Sequence, residues 1–280
     1  MERKRVYIVV KTYPTISDKY AELVCTAGVL EDGSWIRLYP MPFRKLDIEQ
    51  KYKKFTWVEF DVVRNTSDFR VESYRPLNLE NIKVTDEPKL KNGRVDWKQR
   101  KDIVFRNKKI YTNLDELITK AKQDKTSLAI FKPTKIIDFK IEPTEREWKK
   151  NKLELLEAES RQLSLFQTPE EIEKEFKVVN KVPYRFSYIF EDDSGKTSTM
   201  MIEDWELGAL YFNCLYRANG NEDIAKSKVR EKYWDEFMKK DLHFFLGTTK
   251  QFHNIAPNPF IIIGVFYPPF ETEPDQLTLF

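Results

Sequence analysis

Five residues with the pattern Gln-Leu-x-Leu-Phe occur twice in the chain, at 162–166 and at 276–280. The glutamine offers an amide that donates and accepts hydrogen bonds, and the leucines and phenylalanine offer apolar anchors. Such a peptide can enter a groove on another protein while ordering little surface, so one copy binds with modest affinity. Four specified residues arise by chance in a chain this long less than about one time in a hundred. The repeat therefore indicates a linear binding motif.

A plainer interpretation is that Leu163, Leu165 and Phe166 form the buried face of a helix end. That interpretation is weaker for the second copy, because Leu279 and Phe280 follow an acidic, proline-containing segment (271–280) that we expect to be a flexible tail. We therefore favour an intermolecular role for both copies.

Both pentapeptides resemble the motif with which bacterial polymerases, mismatch-repair proteins and other replication factors bind the replication sliding clamp. The resemblance implies that each glutamine hydrogen-bonds at the rim of a pocket while the apolar side chains fill a groove between clamp subdomains. The implied clamp-binding residues are Gln162, Leu163, Leu165, Phe166, Gln276, Leu277, Leu279 and Phe280. The archaeal and eukaryotic signature has paired aromatics after the glutamine and does not match, so the implied partner is the bacterial β clamp. Two copies would allow both pockets of a dimeric ring to be held at once. An equally good alternative is that one copy holds the ring while the fold masks the other.

Aromatic side chains and cations alternate along the N-terminal half, an arrangement that binds single-stranded nucleic acid by stacking on bases and pairing with phosphates. The predicted contacts are Arg37, Tyr39, Arg44, Lys54, Arg64, Arg70, Tyr74, Arg75, Lys98 and Arg100. The charge balance agrees: residues 1–140 hold 30 Lys and Arg against 20 Asp and Glu, whereas the remainder holds 18 against 25. In the alternative interpretation the aromatics are core and the arginines pair with Glu59, Asp61 and Glu72.

Two enzymatic alternatives are weaker. Glu59, Asp61, Asp68 and Glu72 could gather around a divalent metal, as a clamp-delivered nuclease would require, although no lysine has the matching spacing. Histidines 243 and 253 flank Thr248 and could assist acid–base chemistry. A third alternative is an RNA-binding module whose pentapeptides are accidental.

The two cysteines, Cys25 and Cys214, and the two histidines cannot supply a disulfide framework or a zinc site of soft ligands. We predict no metal and no cofactor. No apolar stretch approaches the roughly 18 residues of a membrane span, and the N-terminus lacks a signal-peptide pattern. We therefore expect no membrane partner and a cytoplasmic location.

The elements that must position these residues begin with short β-rich runs at 6–10, 22–30, 35–39 and 55–64, which favour a small barrel. A hairpin turn is predicted at 31–34, where Gly33 can take a positive φ.

Farther along, we predict a capped helix at 113–122, a strand region at 127–141 and a charged helical connector. A hairpin at 184–202, helices near 205–216 and 222–239, and strands at 242–246 and 260–266 complete the pattern. The fold class is α+β. Its predicted domains are a basic β-barrel half (1–142), a helical connector with the first pentapeptide (143–182), a C-terminal α/β domain (183–270) and the tail (271–280).

The N-terminal stretches also resemble an uncharacterised bacterial family with paired OB-like barrels. The resemblance extends to Ile202-Glu203-Asp204-Trp205-Glu206, to 244–248 and to 261–269, and it brings no established activity. Together these features predict a clamp-tethered accessory of bacterial DNA metabolism, in repair, replication or phage defence, that binds DNA, preferably single-stranded, or RNA.

Overall fold

The computed structural model describes residues 1–14, 24–43, 46–86, 90–91, 94–150, 154 and 179–271. Both pentapeptides, Arg44 and most of the predicted connector therefore lie outside the described residues, as does nearly all of the predicted tail. The fold is α+β, as predicted, and it begins with a closed β-barrel.

Five strands close the barrel, and a sixth extends its sheet. They are β1 (Glu2–Lys11), β2 (Val24–Leu30), β3 (Trp35–Met41), β4 (Trp57–Arg64), β5 (Ser73–Leu77) and β6 (Lys83–Asp86). The order is β1-β2-β3-β5-β4, and β1 pairs with β4 to close the ring. Only β3 and β5 run parallel to one another within it. A five-stranded Greek-key barrel of this kind is the OB-like architecture.

From Val6 to Val10 the first strand is apolar on both faces, because both faces are buried there. Val6 and Ile8 point into the barrel, where they pack with Val58 and Phe60. Tyr7, Val9 and Val10 belong instead to a separate core on the outside. The pairing with β2 shifts register between Ile8 and Val10. Such a bulge turns consecutive side chains to one face, which explains why Val9 and Val10 both join the outer core.

The turn between β2 and β3 confirms the predicted hairpin. Gly33 has φ of 87°, and the Asp32 carboxylate accepts bonds from the Ser34 amide (2.8 Å) and hydroxyl (2.7 Å). A side chain at Gly33 would also meet the Arg106 carbonyl, since a Cβ there would lie 2.4 Å from it. Glycine is therefore required both for conformation and for close approach.

Two further sheets form the rest of the fold. One has the order β15-β14-β10-β9, from β9 (Ile110–Tyr111), β10 (Leu128–Phe131), β14 (His243–Thr248) and β15 (Phe260–Phe266). The other has the order β11-β12-β13, from β11 (Lys135–Pro143), β12 (Tyr184–Glu191) and β13 (Thr197–Met201). A bridge between Ile202 and Ile262 joins them. A short hairpin, β7 (Leu90–Lys91) and β8 (Arg94–Val95), stands apart.

Four α-helices are described: α1 (Trp97–Val104), α2 (Leu114–Lys122), α3 (Trp205–Arg217) and α4 (Glu222–Arg230). Each begins at an Asp or Asn side chain that accepts a bond from a first-turn amide, as N-caps do. Asn113 caps α2 at the predicted position. The helix predicted at 222–239 continues beyond α4 as a π-helical stretch, Glu231–Glu236, and a 3-10 turn, Phe237–Lys239.

The barrel packs its outer side against the β9–β10–β14–β15 sheet. Ala27 and Val29 of β2 share a core with Ile130, Phe245 and Phe266. The family resemblance implied a second OB-like barrel, whereas within the described ranges one barrel closes. The reason is that β10 pairs with β14 and β11 pairs with β12, so both strands continue the sheets of the C-terminal part.

Candidate functional site

The usual ligand face of an OB-like barrel is covered in this protein. OB-folds bind oligonucleotides on strands 2 and 3 and on the loops between strands 1 and 2 and strands 4 and 5. Here Trp35 of β3 meets Phe245 edge-to-face at 6.2 Å, next to the Ala27 and Val29 contacts. The loop between β4 and β5 (65–72) therefore remains as the described part of that binding region.

Arg37, a predicted phosphate contact, lies inside this covered face and is 2% exposed. Its guanidinium donates to the Ser127 carbonyl (3.0 Å) and hydroxyl (3.1 Å). The Glu72 carboxylate accepts from the Ser127 amide (2.8 Å) and hydroxyl (2.7 Å). Burial lowers the pKa of Arg37. This side chain links barrel to sheet and is not available to a phosphate.

Lys54, also predicted to bind phosphate, is buried between the barrel and the start of α3. Its ammonium lies 3.0 Å from Asp204 and 3.1 Å from Glu206, with side-chain exposures of 2% for Lys54, 0% for Asp204 and 47% for Glu206. Burial alone would lower the pKa of Lys54, but the two carboxylates outweigh it and raise that pKa above its ordinary value. Asp204 also caps α3 by accepting from the Glu206 amide. The Asp204 carboxylate therefore lies at the start of α3 as its cap, and Lys54 is its counter-ion.

Arg70, a third predicted contact, is 4% exposed. Its guanidinium forms a bidentate ion pair with the Asp68 carboxylate, at 2.6 and 2.9 Å. It also donates to the Thr248 carbonyl at 2.5 Å. Asp68 also accepts from the Ser73 hydroxyl. Burial opposes ionisation of Asp68, yet Arg70 and Ser73 lower its pKa to about 2. Arg70 therefore holds the β4–β5 loop against β14.

The remaining described candidates are accessible to different degrees. Arg75 and Lys98 are exposed, and Tyr39 is half-buried. Arg64 donates to the carbonyls of Arg70 in the loop and of Ser73 at the start of β5, and it lies over the Tyr74 ring at 5.5 Å. Arg100 lies over the Phe55 ring at 4.2 Å. The structure thus scatters the candidates rather than bringing all of them to one surface.

Lys11, at the end of β1, was missed from the sequence. It is 8% exposed, and its ammonium donates to the Tyr52 carbonyl at 3.1 Å while lying 4.4 Å from the Phe43 ring centre and 5.2 Å from that of Trp205. Burial, with the charge of Lys54, lowers the pKa of Lys11 to about 8. A lysine ending an apolar strand was the only sequence signal.

The carboxylates of the nuclease alternative are engaged by internal partners. Arg3 pairs with both Glu59 (3.1 Å) and Asp61 (2.9 Å). Asp68 and Glu72 are held by the loop contacts already described. In the described ranges no group of three or more His, Cys, Asp or Glu side chains could hold a metal ion.

The predicted histidine and threonine pair does form a hydrogen bond, at 2.7 Å between Thr248 Oγ1 and His253 Nδ1. His253 Nε2 donates to the Ala121 carbonyl at 2.9 Å. Thr248 is 2% exposed and His253 1% exposed, so neither meets a substrate in this structure. His243 is buried as well, and its burial lowers its pKa.

The connection that contains the first pentapeptide leaves and re-enters the fold at one place. Pro143 pairs with Tyr184 at the end of the β11–β12 ladder. Beyond it, the Thr144 amide donates to the Pro183 carbonyl (3.0 Å), and the Trp148 indole donates to the Val179 carbonyl (2.8 Å). The described residues on both sides of this connection are therefore held together without it.

Sequence comparison divides the chain just after α1. Residues 2–106 match a domain of unknown function, DUF8758, and residues 111–280 match a second, DUF8757. The chain belongs to the DUF8757 family. This agrees with the predicted membership of an uncharacterised family, and no curated protein matches the sequence.

Among solved structures, the chain is similar to a murine DNA-binding protein bound to double-stranded DNA. The identity is 11% and the TM-score 0.30, over 99% of this chain and 100% of that chain. A TM-score this low carries no argument about function. Within the described ranges, none of the helices is both long and apolar enough to traverse a bilayer.

Proposed function

We propose that this protein is a nucleic-acid-binding accessory factor that the bacterial β sliding clamp tethers through its two pentapeptides. The observation that carries the proposal is the repeated Gln-Leu-x-Leu-Phe sequence at 162–166 and 276–280. The fold supports the proposal because the residues at the two ends of the 144–183 connection are hydrogen-bonded to each other. A motif in that connection can therefore bind a partner while β11 and β12 stay paired. Repair, replication and phage defence all remain within this proposal.

Alanine replacement of the apolar anchors tests the tether. L165A/F166A and L279A/F280A should each weaken binding of the full chain to immobilised β clamp, and the quadruple variant should abolish it. Each double variant leaves one motif intact, so its loss of affinity reports how much simultaneous binding of both motifs contributes. Surface plasmon resonance gives the dissociation rates.

The variable motif position supplies the matched control. S164A/T278A changes the same two segments without touching an anchor and should bind as the wild type does. Quadruple-variant protein that still binds the clamp, with an unchanged unfolding midpoint, would refute the tether.

Nucleic-acid binding is the second half of the proposal. It is supported by the OB-like barrel and by the basic N-terminal half, where Arg75 and Lys98 remain exposed candidates for phosphate contact. Fluorescence anisotropy with labelled single-stranded DNA should show affinity that falls linearly on a log–log plot against salt. The expected slope is about −0.7 for each phosphate contacted on a single strand. If neither DNA nor RNA binds even at low salt, this half of the proposal is wrong.

A further inference from the structure

The loop between β4 and β5 presents an aromatic side chain from a rigid base. Phe69 stands between Asp68 and Arg70, whose buried ion pair fixes the loop on both sides. Phe69 is 43% exposed, and its ring meets His253 edge-to-face at 5.2 Å. Asp68 and Arg70 are both buried, so the Phe69 side chain between them is directed toward solvent. An exposed aromatic side chain held in this way is available for contact with a ligand.

A second loop supplies more apolar side chains beside it. The β14–β15 connection (249–259) is bound to the β4–β5 loop, since Lys250 donates to the Ser67 carbonyl and Arg70 donates to the Thr248 carbonyl. Phe252 is 49% and Ile255 78% exposed in that connection, and Val71 is 43% exposed in the first loop. We call these four side chains, Phe69, Val71, Phe252 and Ile255, the Phe69 surface.

Cations border the Phe69 surface. The turn after α2 joins it, because Ala121 accepts from His253 and Thr126 donates to Glu72 at 3.1 Å. Lys122 is exposed at the end of α2, Lys125 on this turn and Lys250 on the second loop. The acidic side chains Asp68 and Glu72 are buried and satisfied internally. Asp124 is the exposed carboxylate on the described turn, so cations outnumber anions at this border.

We propose that the Phe69 surface binds single-stranded nucleic acid, an inference that rests on the proposed function and locates its contact. Aromatic faces stack on unpaired bases while lysines follow the phosphates. Lysine is depleted at protein–protein interfaces, so the lysine border favours a polyanion over a protein partner. A duplex keeps its bases stacked inside, which leaves the exposed rings with nothing to stack on. The position also matches the loop region that remains open when the second sheet covers β2 and β3.

Two substitutions test the rings. F69A and F252A should each weaken binding of a deoxythymidine oligonucleotide of about 16 nucleotides, the upper end of what one such barrel covers. The loss expected is about tenfold for each ring, from the stacking of one base. Y216A is the matched control, because Tyr216 is 86% exposed on α3, and it should bind as the wild type does. An oligouridine arm and a duplex arm are measured beside the deoxythymidine arm.

The lysines give a second measurement that does not depend on the rings. K122Q/K125Q should make the salt dependence of binding shallower by about 0.7 for each lysine that contacts a phosphate. These are exposed positions, so the fold should be retained, and unfolding midpoints check it.

The outcomes separate the two proposals. Wild-type protein that binds single strands while F69A, F252A and K122Q/K125Q bind equally well overturns the Phe69 surface but leaves the proposed function standing. Duplex bound as tightly as single strands also overturns it. Wild-type protein that binds no nucleic acid at all overturns the Phe69 surface together with the nucleic-acid half of the proposed function. Weaker binding of the ring variants to either single-stranded DNA or single-stranded RNA supports the assignment.

Discussion

Replacing Lys54 with methionine is expected to lower the free energy of unfolding by about 3–5 kcal/mol at neutral pH, the usual cost of removing one partner from a buried pair. The Asp204 side chain is 0% exposed, so K54M leaves its buried carboxylate without the ammonium that is hydrogen-bonded to it. Methionine fills a similar volume, which keeps a cavity from contributing. Urea denaturation followed by tryptophan fluorescence measures the loss.

The pH dependence of that loss identifies its cause. Burial raises the pKa of the Asp204 carboxyl, and Lys54 opposes that rise. In K54M the opposition is gone, so the folded-state pKa of Asp204 climbs further above its unfolded value. Below its unfolded-state pKa the carboxyl is protonated in both states, so its raised folded-state pKa costs no free energy of unfolding there. The destabilisation should therefore be smallest in acid and should grow as the pH rises through the folded pKa.

Two controls make the result specific. K53M removes an exposed neighbouring lysine and should change stability by no more than about 0.5 kcal/mol. K54M/D204N removes both charges while the side-chain carbonyl of the new asparagine can still accept from the Glu206 amide, and it should recover most of the stability. K54M as stable as K53M would show that the pair contributes nothing. Weakened nucleic-acid binding with unchanged stability would instead support the original prediction that Lys54 contacts phosphate.

Local patterns predicted the individual elements well. Alternating and continuous apolar runs predicted β1 to β4 and β15, because the burial pattern of a strand determines which of its consecutive residues are apolar. Asn113 marked the start of α2, and the hairpin predicted at 184–202 forms as β12 and β13, with Gly195 in their turn at φ of 78°. Each of these signals lies within a few residues of the element it specifies.

Long-range pairing was not readable in the same way. Arg37 meets Ser127, Lys54 meets Asp204, and Arg70 meets Thr248, across 90, 150 and 178 residues of sequence. Nothing near each cation distinguishes it from one that faces solvent. Each partner lies in the C-terminal part of the chain. Only the complete fold brings the sheet of that part over the barrel, so the sequence near each cation does not predict the contact. The interpretation in which the arginines form ion pairs was therefore nearer the truth for Arg70, although its partner is Asp68.

The same limit applies to the Phe69 surface. Phe69 is one of the N-terminal aromatics that lie among cations, but the loop that carries Phe252 and Ile255 is bound to the Phe69 loop only because β14 packs beside the barrel. Conversely, the pentapeptides need no tertiary context to be recognised, since a linear motif is complete within five residues. Their use by a partner remains a proposal, because they lie outside the described residues.

Lys11 carries the second large effect, a change of about 3 kcal/mol in stability with pH. Its folded pKa is about 8, against an ordinary value of 10.5, and each pKa unit corresponds to about 1.36 kcal/mol. Between those values the unfolded chain holds a proton on Lys11 that the folded chain has released. Stability contributed by this group therefore rises from about pH 8 to about pH 10.5. The charged groups that face it are Lys54, Asp204 and Glu206.

K11M should remove this dependence. Below pH 8 the variant should be more stable than the wild type, by up to about 3 kcal/mol less roughly 1 kcal/mol for the lost bond to the Tyr52 carbonyl. The advantage should shrink steadily toward pH 10.5. Taking the difference between the two proteins cancels the titration of tyrosines such as Tyr7, whose pKa burial raises to about 12. K51M, which removes an exposed positive charge, is the matched control. Stability profiles of K11M and K51M that run parallel from pH 7 to 10.5 would show that burial does not lower the pKa of Lys11.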